Sequence, residues 1–412
     1  MSNKYNRIKY ACYSTNIAMA IIANFSPLLF LTFRNLYGIS YSLLGLLVLI
    51  NFCTQLAVDL IFSFFSHRFN IPASVKMTPV LTVIGLLIFA AAPWVLPDGF
   101  VYIGFVIGTL VFSASGGLAE VLISPIIAEL PAEDPDREMS KLHSVYAWGV
   151  VAVVIVATLF LYYFGAKKWQ WLTIFFTLIP LAACILYSKT EIPTVKTPER
   201  TFGALKMLKN GGIWLCAFAM FLGGSAECTM AQWCSGYLEG ALQIPKIWGD
   251  IFGVALFALM LGLGRTLYSK VGKNVDRVLF FGAIGATVCY FVAAVSNIAI
   301  VGLLACAATG FCVSMLWPGE LIVASERFSS GGVFIYALMA AGGDLGASVG
   351  PQLVGVITDA VISNESAIRF AADMAMTPEQ LGMKAGMLAG MLFPLVAVFV
   401  YLAIWRKRKT RA

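Results

Sequence analysis

The sequence has little charge: only 12% of its 412 residues are Asp, Glu, Lys or Arg, and 60% are apolar. Soluble domains hold about 25% charged and about 45–50% apolar residues. A soluble fold cannot bury this much apolar surface, so lipid is the predicted solvent. Backbone polar groups cannot stay unpaired in lipid, which leaves helices or a closed barrel, and the long apolar runs select helices.

Side chains that carry enzyme or metal chemistry are also scarce. The chain has two histidines, His67 and His143, both in predicted inner loops. Its nine cysteines lie inside apolar runs without the spacing of metal ligands. Packing residues therefore explain them better than disulfides or a metal site. We expect no cofactor, and an enzyme is disfavoured because no nucleophile–base pair or metal cluster stands out.

Twelve apolar stretches reach the roughly 20 residues that a helix needs to cross a bilayer. They lie at about residues 10–33, 41–65, 77–96, 100–127, 144–164, 169–187, 212–237, 248–268, 278–295, 299–324, 333–360 and 383–405. The first stretch is longer than the apolar part of a signal peptide and no cleavage site follows it, so it is predicted to remain as a span. The predicted fold class is an all-α membrane protein with twelve transmembrane helices.

A charged segment near the middle of the chain divides these spans into two groups of six. We predict an N-terminal six-helix bundle over 1–187, a cytoplasmic linker over 188–211 and a C-terminal six-helix bundle over 212–412. Two parallel repeats of six helices have this organisation. The loops after the second and eighth spans support the repeat, because each carries basic residues and they lie about half a chain apart. Their gating candidates are Arg68 in the first loop and Arg265, Lys270 and Gly272 in the second.

Basic residues predict the orientation, since Lys and Arg favour cytoplasmic loops. If both termini are inside, the outer loops hold only Arg34, Lys167, Lys168, Lys246, Arg369 and Lys384. The formal charge of +7 then reflects topology. The basic residues at the C-terminal end of the chain are predicted to contact the lipid bilayer and not nucleic acid. We predict a multi-pass protein of the cell membrane, a monomer with both termini in the cytoplasm.

Acidic residues within the spans are the main functional candidates, because an ionised group at the centre of a membrane helix costs about 2.5–3.5 kcal/mol. Glu120, Glu227 and Asp344 lie deepest. The span interiors contain no Lys or Arg except Arg265 near a span end, so these acids have no evident cationic partner. Each is expected to be protonated, to bind a cation or to face water. The alternative for each is a protonated carboxyl hydrogen-bonded to a neighbouring helix.

Motifs around these acids resemble those of a known transporter family. Glu120 precedes Pro125 in a Gly-Gly-Leu-Ala-Glu-Val-Leu-Ile-Ser-Pro run, and Glu227 is followed by Trp233 and Tyr237. The tenth span holds Ser-Met-Leu-Trp-Pro at 314–318, and the eleventh holds a glycine-rich run that ends at 351. In residue type and spacing, these segments resemble the fucose–galactose–glucose:proton symporters of the major facilitator superfamily.

The resemblance implies the twelve-helix facilitator fold and a sugar-like solute, with one departure. Proton-coupled members carry an acid in the first span, whereas this span has none and places Ser26 and Pro27 near that point. Sodium coupling, or facilitation without an ion, therefore stays open beside proton coupling. A cavity with acids and no bases suits a neutral polar solute moved with a cation, or a cationic solute.

Aromatic and amide side chains of the spans are candidates for solute binding. Aromatic rings stack on sugar rings, and amides bond hydroxyl groups; these candidates are Trp233, Tyr237, Trp317, Asn51, Gln55 and Gln352, beside Glu120 and Glu227. Their alternative roles are interfacial anchoring for the aromatic residues and contacts between helices for the amides.

The sequence thus predicts a secondary active transporter that moves a small neutral polar solute by alternating access, with a hexose as the first choice. Proton or sodium is the predicted coupling ion, and Glu120 is the predicted main coupling carboxylate, with Glu227 and Asp344 as further candidates. The alternative is an exporter of amphiphilic or cationic small molecules. A receptor that does not transport would be recognised by the absence of counterflow.

Cysteine labelling tests the predicted topology. On a cysteine-free background, Arg408→Cys is expected to react with a membrane-impermeant maleimide only from the cytoplasmic side, and Arg369→Cys only from outside. The reverse pattern would contradict the orientation predicted from the basic residues.

Overall fold

The computed structural model describes residues 3–65, 68–128, 130, 135–193, 208–328 and 332–409. Within these ranges the chain is helical and has no β-strand. Eleven helices are long and apolar enough to cross a membrane, and a bent pair of helices brings the number to 12. The all-α membrane fold with twelve spans is therefore confirmed.

Two compact units make up the chain: Met1–Tyr37 with Ile50–Arg200, and Gly38–Leu49 with Thr201–Ala412. The division differs from the predicted boundaries in one respect, since the short segment Gly38–Leu49 packs with the second unit. The predicted linker over 188–211 falls mainly on residues 194–207, which lie outside the described residues.

The first unit is built from eight helices, one of which it shares. They are α1 (Asn3–Leu28), α2 (Phe30–Tyr37), α3 (Tyr41–Phe65, from Ile50 onward), α4 (Ile71–Val95), α5 (Val101–Ala128), α6 (Pro135–Phe164), α7 (Trp169–Phe176) and α8 (Leu178–Ser188). The predicted first span is α1 and α2 together, bent by 50°. The bend follows Pro27, which cannot donate a backbone hydrogen bond and whose ring disturbs the preceding turn.

Apolar packing at two places holds the first unit together. Buried side chains of α1, α3, α4, α5, α6 and α8 form one cluster: Ile8, Ala11, Cys12, Phe62, Val75, Ala119, Leu122, Ile123, Ile126, Ile127, Leu142, Ala183 and Tyr187, with Leu130. A second cluster is aromatic, with Phe105 at the centre and ring centroids 4.7 Å from Phe33 and Phe89. Trp169 joins it and donates Nε1–H to the Tyr37 hydroxyl at 3.0 Å.

The second unit contains nine further helices. They are α9 (Gly211–Gly240), α10 (Lys246–Gly249), α11 (Leu256–Val271), α12 (Val275–Val295), α13 (Ala299–Val313), α14 (Leu316–Arg327), α15 (Gly332–Ile362), α16 (Glu365–Asp373) and α17 (Pro378–Lys409). A π-helical turn, Asp250–Ala255, connects α10 to α11. The predicted eighth span is therefore α10, this turn and α11, while α16 is an additional short helix between the last two spans.

Glycines allow α15 to approach α9 closely. A Cβ on Gly346 would lie 2.1 Å from the Phe221 carbonyl oxygen, and one on Gly342 would lie 2.8 Å from that of Ala217. Ser225 Oγ donates to the Gly346 carbonyl oxygen across the same contact, at 3.0 Å. The glycine-rich run of the eleventh span therefore packs directly on α9.

The first turns of α3 are fastened to α15. Asp359 Oδ1 accepts a hydrogen bond from Tyr41 N at 3.1 Å, and its Oδ2 accepts one from Ser42 N at 2.6 Å. A carboxylate beside a helix N-terminus binds free N–H groups and the positive end of the helix dipole. Gly355 allows α15 to come this close to α3, since a Cβ atom added to Gly355 would lie 2.3 Å from the Tyr41 carbonyl oxygen.

Asp359→Ala is expected to lower the apparent melting temperature of the purified protein. Loss of a capping side chain destabilises by about 0.5–2 kcal/mol. Glu365→Ala is the matched control, because Glu365 is highly exposed and its ion pair with Arg369 is long, at 3.8 Å. A melting temperature of Asp359→Ala equal to that of the control would contradict this role.

Candidate functional site

Glu120 lies in the last third of α5, on a different face from the exposed apolar residues of this helix. Ile103, Ile107 and Leu110 are exposed at helical spacing and form the apolar stripe of α5 that suits lipid. At 3.6 residues per turn, Glu120 is rotated by about 110° from the centre of that stripe and lies two turns after Ser113. Its side chain is exposed. No described basic side chain forms an ion pair with it.

Polar residues of α3 lie against the same part of α5. Asn51 Oδ1 accepts hydrogen bonds from Gln55 Nε2 at 3.1 Å and from Ser113 Oγ at 2.5 Å. Asp59 of α3 also lies close to α5, since a Cβ atom added to Gly117 would be 3.1 Å from Asp59 Oδ1. Asn51 thus connects the two helices, and Gln55 supports it within α3 and packs against Gly116 of α5. A contact between helices is the alternative role named from the sequence.

Glu227 has a cationic partner, which corrects the expectation that the deep acids stand without one. Arg265 Nη2 donates to both Glu227 carboxylate oxygens, at 3.1 Å each. The prediction failed because Arg265 was assigned to a gating loop, whereas the residue lies within α11. Its long side chain reaches from α11 to α9, so a charge near a span end neutralises one deeper in the unit.

A proline in α14 explains how Arg265 is held. Pro318 has no N–H with which to bond the carbonyl of Ser314, one helical turn earlier. Arg265 Nε donates to this free carbonyl oxygen at 3.0 Å. Gly264 permits the approach, because a Cβ there would lie 2.2 Å from Ser314 Oγ. Two short motifs that were considered separately in the sequence, Gly-Arg in α11 and Ser-Met-Leu-Trp-Pro before and within α14, therefore build one site.

Asp344 and Trp317 lie close to this pair. The Cys228 thiol is near the charges of Glu227, Asp344 and Arg265 together. Asp344 is 5% exposed. Trp317 is half-buried, and its ring covers the adjacent Gly343, where a Cβ would lie 2.6 Å from Cζ2. The second unit thus gathers two acids, one guanidinium and an indole from α9, α11, α14 and α15.

Trp233 and Tyr237 occupy a different environment from the one predicted for them. Each is 1% exposed. Trp233 Nε1 donates to the Pro351 carbonyl oxygen at 2.8 Å, and the Tyr237 hydroxyl donates to that of Ala293 at 2.6 Å. These rings fill the interior of the second unit, so their placement does not support a solute contact. Sequence spacing identified the positions but carries no information on the direction of the rings.

The remaining predicted residues lie apart from the two acidic sites. Gln352 is on α15, and its Oε1 would lie 2.9 Å from a Cβ on Gly45, so it packs against the start of α3. Arg68 is exposed, with its guanidinium 5.6 Å from the centre of the Phe65 ring. Lys270 is exposed near the end of α11, and Gly272 follows that helix. Their gating roles stay predictions.

Glu320 of α14 is a further buried acid in the second unit. The residue is 0% exposed and forms no ion pair with a described residue. The guanidinium of Arg327, in the same helix, donates to the Ile404 carbonyl oxygen at 2.8 Å. The thiol of Cys216 lies beside the Glu320 carboxyl group.

A cavity of about 520 Å³ lies in the first unit between α1 and α6. Its lining includes Tyr13, Ile17, Lys141 and Trp148, and none of the predicted site residues. Within the described part of the chain, no group of three or more His, Cys, Asp and Glu side chains is arranged to hold a metal ion. The nine cysteines are free thiols.

Comparisons with known proteins place this geometry in a family. The profile of the Major Facilitator Superfamily matches residues 11–351. A comparison with curated protein sequences gives no match.

Solved structures share the fold at low sequence identity. A bacterial homologue of the human lysosomal transporter Spinster, inward-facing and occupied, is 15% identical, with 98% of both chains covered and a TM-score of 0.70. A D-xylose–proton symporter is 16% identical, with 95% of this chain and 96% of that chain covered and a TM-score of 0.72. The fucose:proton symporter of E. coli is 14% identical, with 98% and 99% covered and a TM-score of 0.59. The family profile spans most of the sequence, and the fold agrees with it: the chain belongs to the major facilitator superfamily and is a transporter, not an enzyme.

Proposed function

We propose that this transporter moves a small neutral polar solute, a hexose or a related sugar, by symport with protons. The observation that carries the proposal is the placement of Glu120, an exposed carboxyl group within a membrane-spanning helix that has no basic partner among the described residues. A carboxyl group there is disfavoured as a permanent anion, because the membrane interior penalises charge. Proton binding and release as the site opens to either side is the chemistry that such a group supplies.

Proton coupling is preferred over sodium because of the surroundings of Glu120. Asp59 of α3 lies against Gly117, three residues before Glu120. The amide oxygen of Asn51 lies two turns away, at Ser113, and is already bonded to Gln55 and Ser113. Sodium requires several oxygen ligands that are free at one point, whereas a proton requires one carboxyl group. Solute accumulation driven by a sodium gradient would instead identify sodium as the coupling ion.

A neutral solute is supported by the charges of the second unit. Glu227 already neutralises Arg265, so the pair offers no net positive charge to attract an anionic solute. The solved D-xylose–proton and fucose:proton symporters have the same fold. We therefore select sugars as the first solutes to test.

The two predicted six-helix halves, 1–187 and 212–412, would supply alternating access, with the linker and both termini in the cytoplasm. Repeats of this kind rock about a site near the centre of the membrane. The proposal treats the chain as a monomer in the cell membrane.

Export of amphiphilic or cationic compounds is the second candidate. One observation favours it: the cavity between α1 and α6 is lined mainly by apolar and aromatic side chains. An amphiphile that stabilises the purified protein against heat, when no sugar does so, would select this alternative.

Glu120→Gln is expected to abolish sugar accumulation driven by a pH gradient in proteoliposomes. Glutamine resembles the protonated acid but cannot release a proton, so exchange of sugar between compartments of equal pH should persist. Glu120→Asp is the control that retains a titratable group. Accumulation by Glu120→Gln at the level of the parent would assign Glu120 a structural role.

Trp317→Ala is expected to weaken sugar binding by about tenfold with little loss of stability, since the ring is half-buried and covers Gly343, next to Asp344. Trp233→Ala should instead lower the melting temperature, because it removes a fully buried ring and its hydrogen bond. Calorimetric binding and thermal unfolding separate the two effects. Equal behaviour of the two variants in both measurements would contradict these assignments.

A further inference from the structure

In the Glu227–Arg265 pair, hydrogen bonds fix two nitrogens of the guanidinium and leave the third without a partner among the described residues. Arg265 Nε is bonded to the Ser314 carbonyl oxygen, and Nη2 is bonded to both oxygens of Glu227. Within the described part of the chain, the third nitrogen, Nη1, has no hydrogen-bond partner. The Arg265 side chain is 43% exposed, against 14% for Glu227. The two N–H groups of Nη1 are therefore free to bind a ligand.

The exposed edge is on the side of α11 away from lipid. Leu259, Leu263 and Leu267 are about half exposed and form a stripe along this helix. At 3.6 residues per turn, Arg265 is rotated by about 160° from Leu263, which puts it nearly opposite that stripe. The Nη1 edge therefore faces the polar interior of the second unit, where Trp317 and Asp344 also lie.

The chemistry of that edge restricts the ligand to an oxygen acceptor. Nη1 carries two N–H donors that diverge in the plane of the guanidinium, so each can donate to a separate oxygen acceptor. A carboxylate would supply such acceptors, but Glu227 already neutralises the guanidinium. Hydroxyl groups supply oxygen acceptors without charge.

We propose that Arg265, positioned by Glu227 and the Ser314 carbonyl, is a solute-binding residue that donates hydrogen bonds from Nη1 to hydroxyl oxygens of a neutral polyhydroxy compound. The proposal rests on the proposed function and specifies its solute class and the contact that selects it. Glu227 acts here as a positioning residue: it orients the guanidinium and, by neutralising it, selects against anionic solutes.

Binding by calorimetry to the purified full-length protein tests this assignment. The probes are D-glucose, D-galactose, D-xylose and L-fucose, with D-glucuronate as the anionic comparator. Arg265→Gln and Arg265→Lys are both expected to weaken the binding of the best neutral sugar by about tenfold or more. Lysine keeps the positive charge but lacks the planar guanidinium. A loss of sugar affinity in Arg265→Lys therefore identifies the geometry of the donors, and not the charge, as the cause.

The Glu227→Gln variant distinguishes a positioning acid from a merely structural one. With Glu227 neutral, Arg265 keeps an uncompensated charge, so the affinity for D-glucuronate should rise relative to that for the neutral sugar. A structural acid would change the stability of the protein without changing this ratio.

Two further variants guard against misfolding and nonspecific effects. Glu227→Gln combined with Arg265→Gln leaves no unpaired charge, so it should fold and still bind the sugar weakly. Lys246→Gln breaks another ion pair of the same unit, 3.0 Å from Asp250, and should bind like the parent.

The outcomes separate the inference from the proposal on which it rests. If the parent binds a neutral sugar and both Arg265 variants bind it equally well, the inference is wrong and the transport proposal stands. If the parent binds D-glucuronate more tightly than every neutral sugar, the neutral solute class is wrong. If the parent binds none of these probes, sugar transport fails and the inference fails with it.

Discussion

An ionisable group inside a membrane helix must be neutralised or hydrated, and the polar architecture of this transporter follows from that constraint. The second unit neutralises Glu227 with Arg265, two hydrogen bonds of 3.1 Å across α9 and α11. The first unit supplies no described cation for Glu120 and leaves its side chain exposed to solvent. A paired acid is suited to fixing a binding surface, and an unpaired one to exchanging a proton, which are the roles that we propose for Glu227 and Glu120.

Proline and glycine create the polar points in an apolar helical scaffold. Pro318 leaves the Ser314 carbonyl without its usual partner, and Gly264 brings α11 close enough for Arg265 to bond it. The glycines of α15 bring that helix against α9, which places Asp344 near Glu227. Backbone interruptions are costly in lipid unless neighbouring helices satisfy the freed groups. Here the guanidinium that satisfies the carbonyl is also the one that pairs with Glu227.

Hydropathy predicted the helices because each span must present about 20 apolar residues to lipid, whatever its tertiary neighbours. The same pattern identified Glu120 as a mid-span acid. It did not reveal the Glu227–Arg265 pair, since a flexible side chain near a span end can reach a site that its sequence position does not suggest. The absent N–H of Pro318 was the available signal. For Trp233 and Tyr237, the spacing resembled that of the symporter family and suggested solute contacts. Both rings are instead buried in the interior of the second unit. Hydropathy did not predict the break after Pro27 or the short helix α16, because it is averaged over many residues and does not show local backbone geometry.

Proton coupling is the central claim, and sugar-driven proton movement tests it most directly. Parent protein is reconstituted into lightly buffered liposomes that contain a pH-sensitive dye, and an inward gradient of a bound neutral sugar is imposed at equal pH on both sides. Symport through a protonated carboxyl group requires the lumen to acidify as sugar enters, and the acidification must vanish when a protonophore is present. Sugar entry at the same rate without any change of internal pH would contradict proton symport.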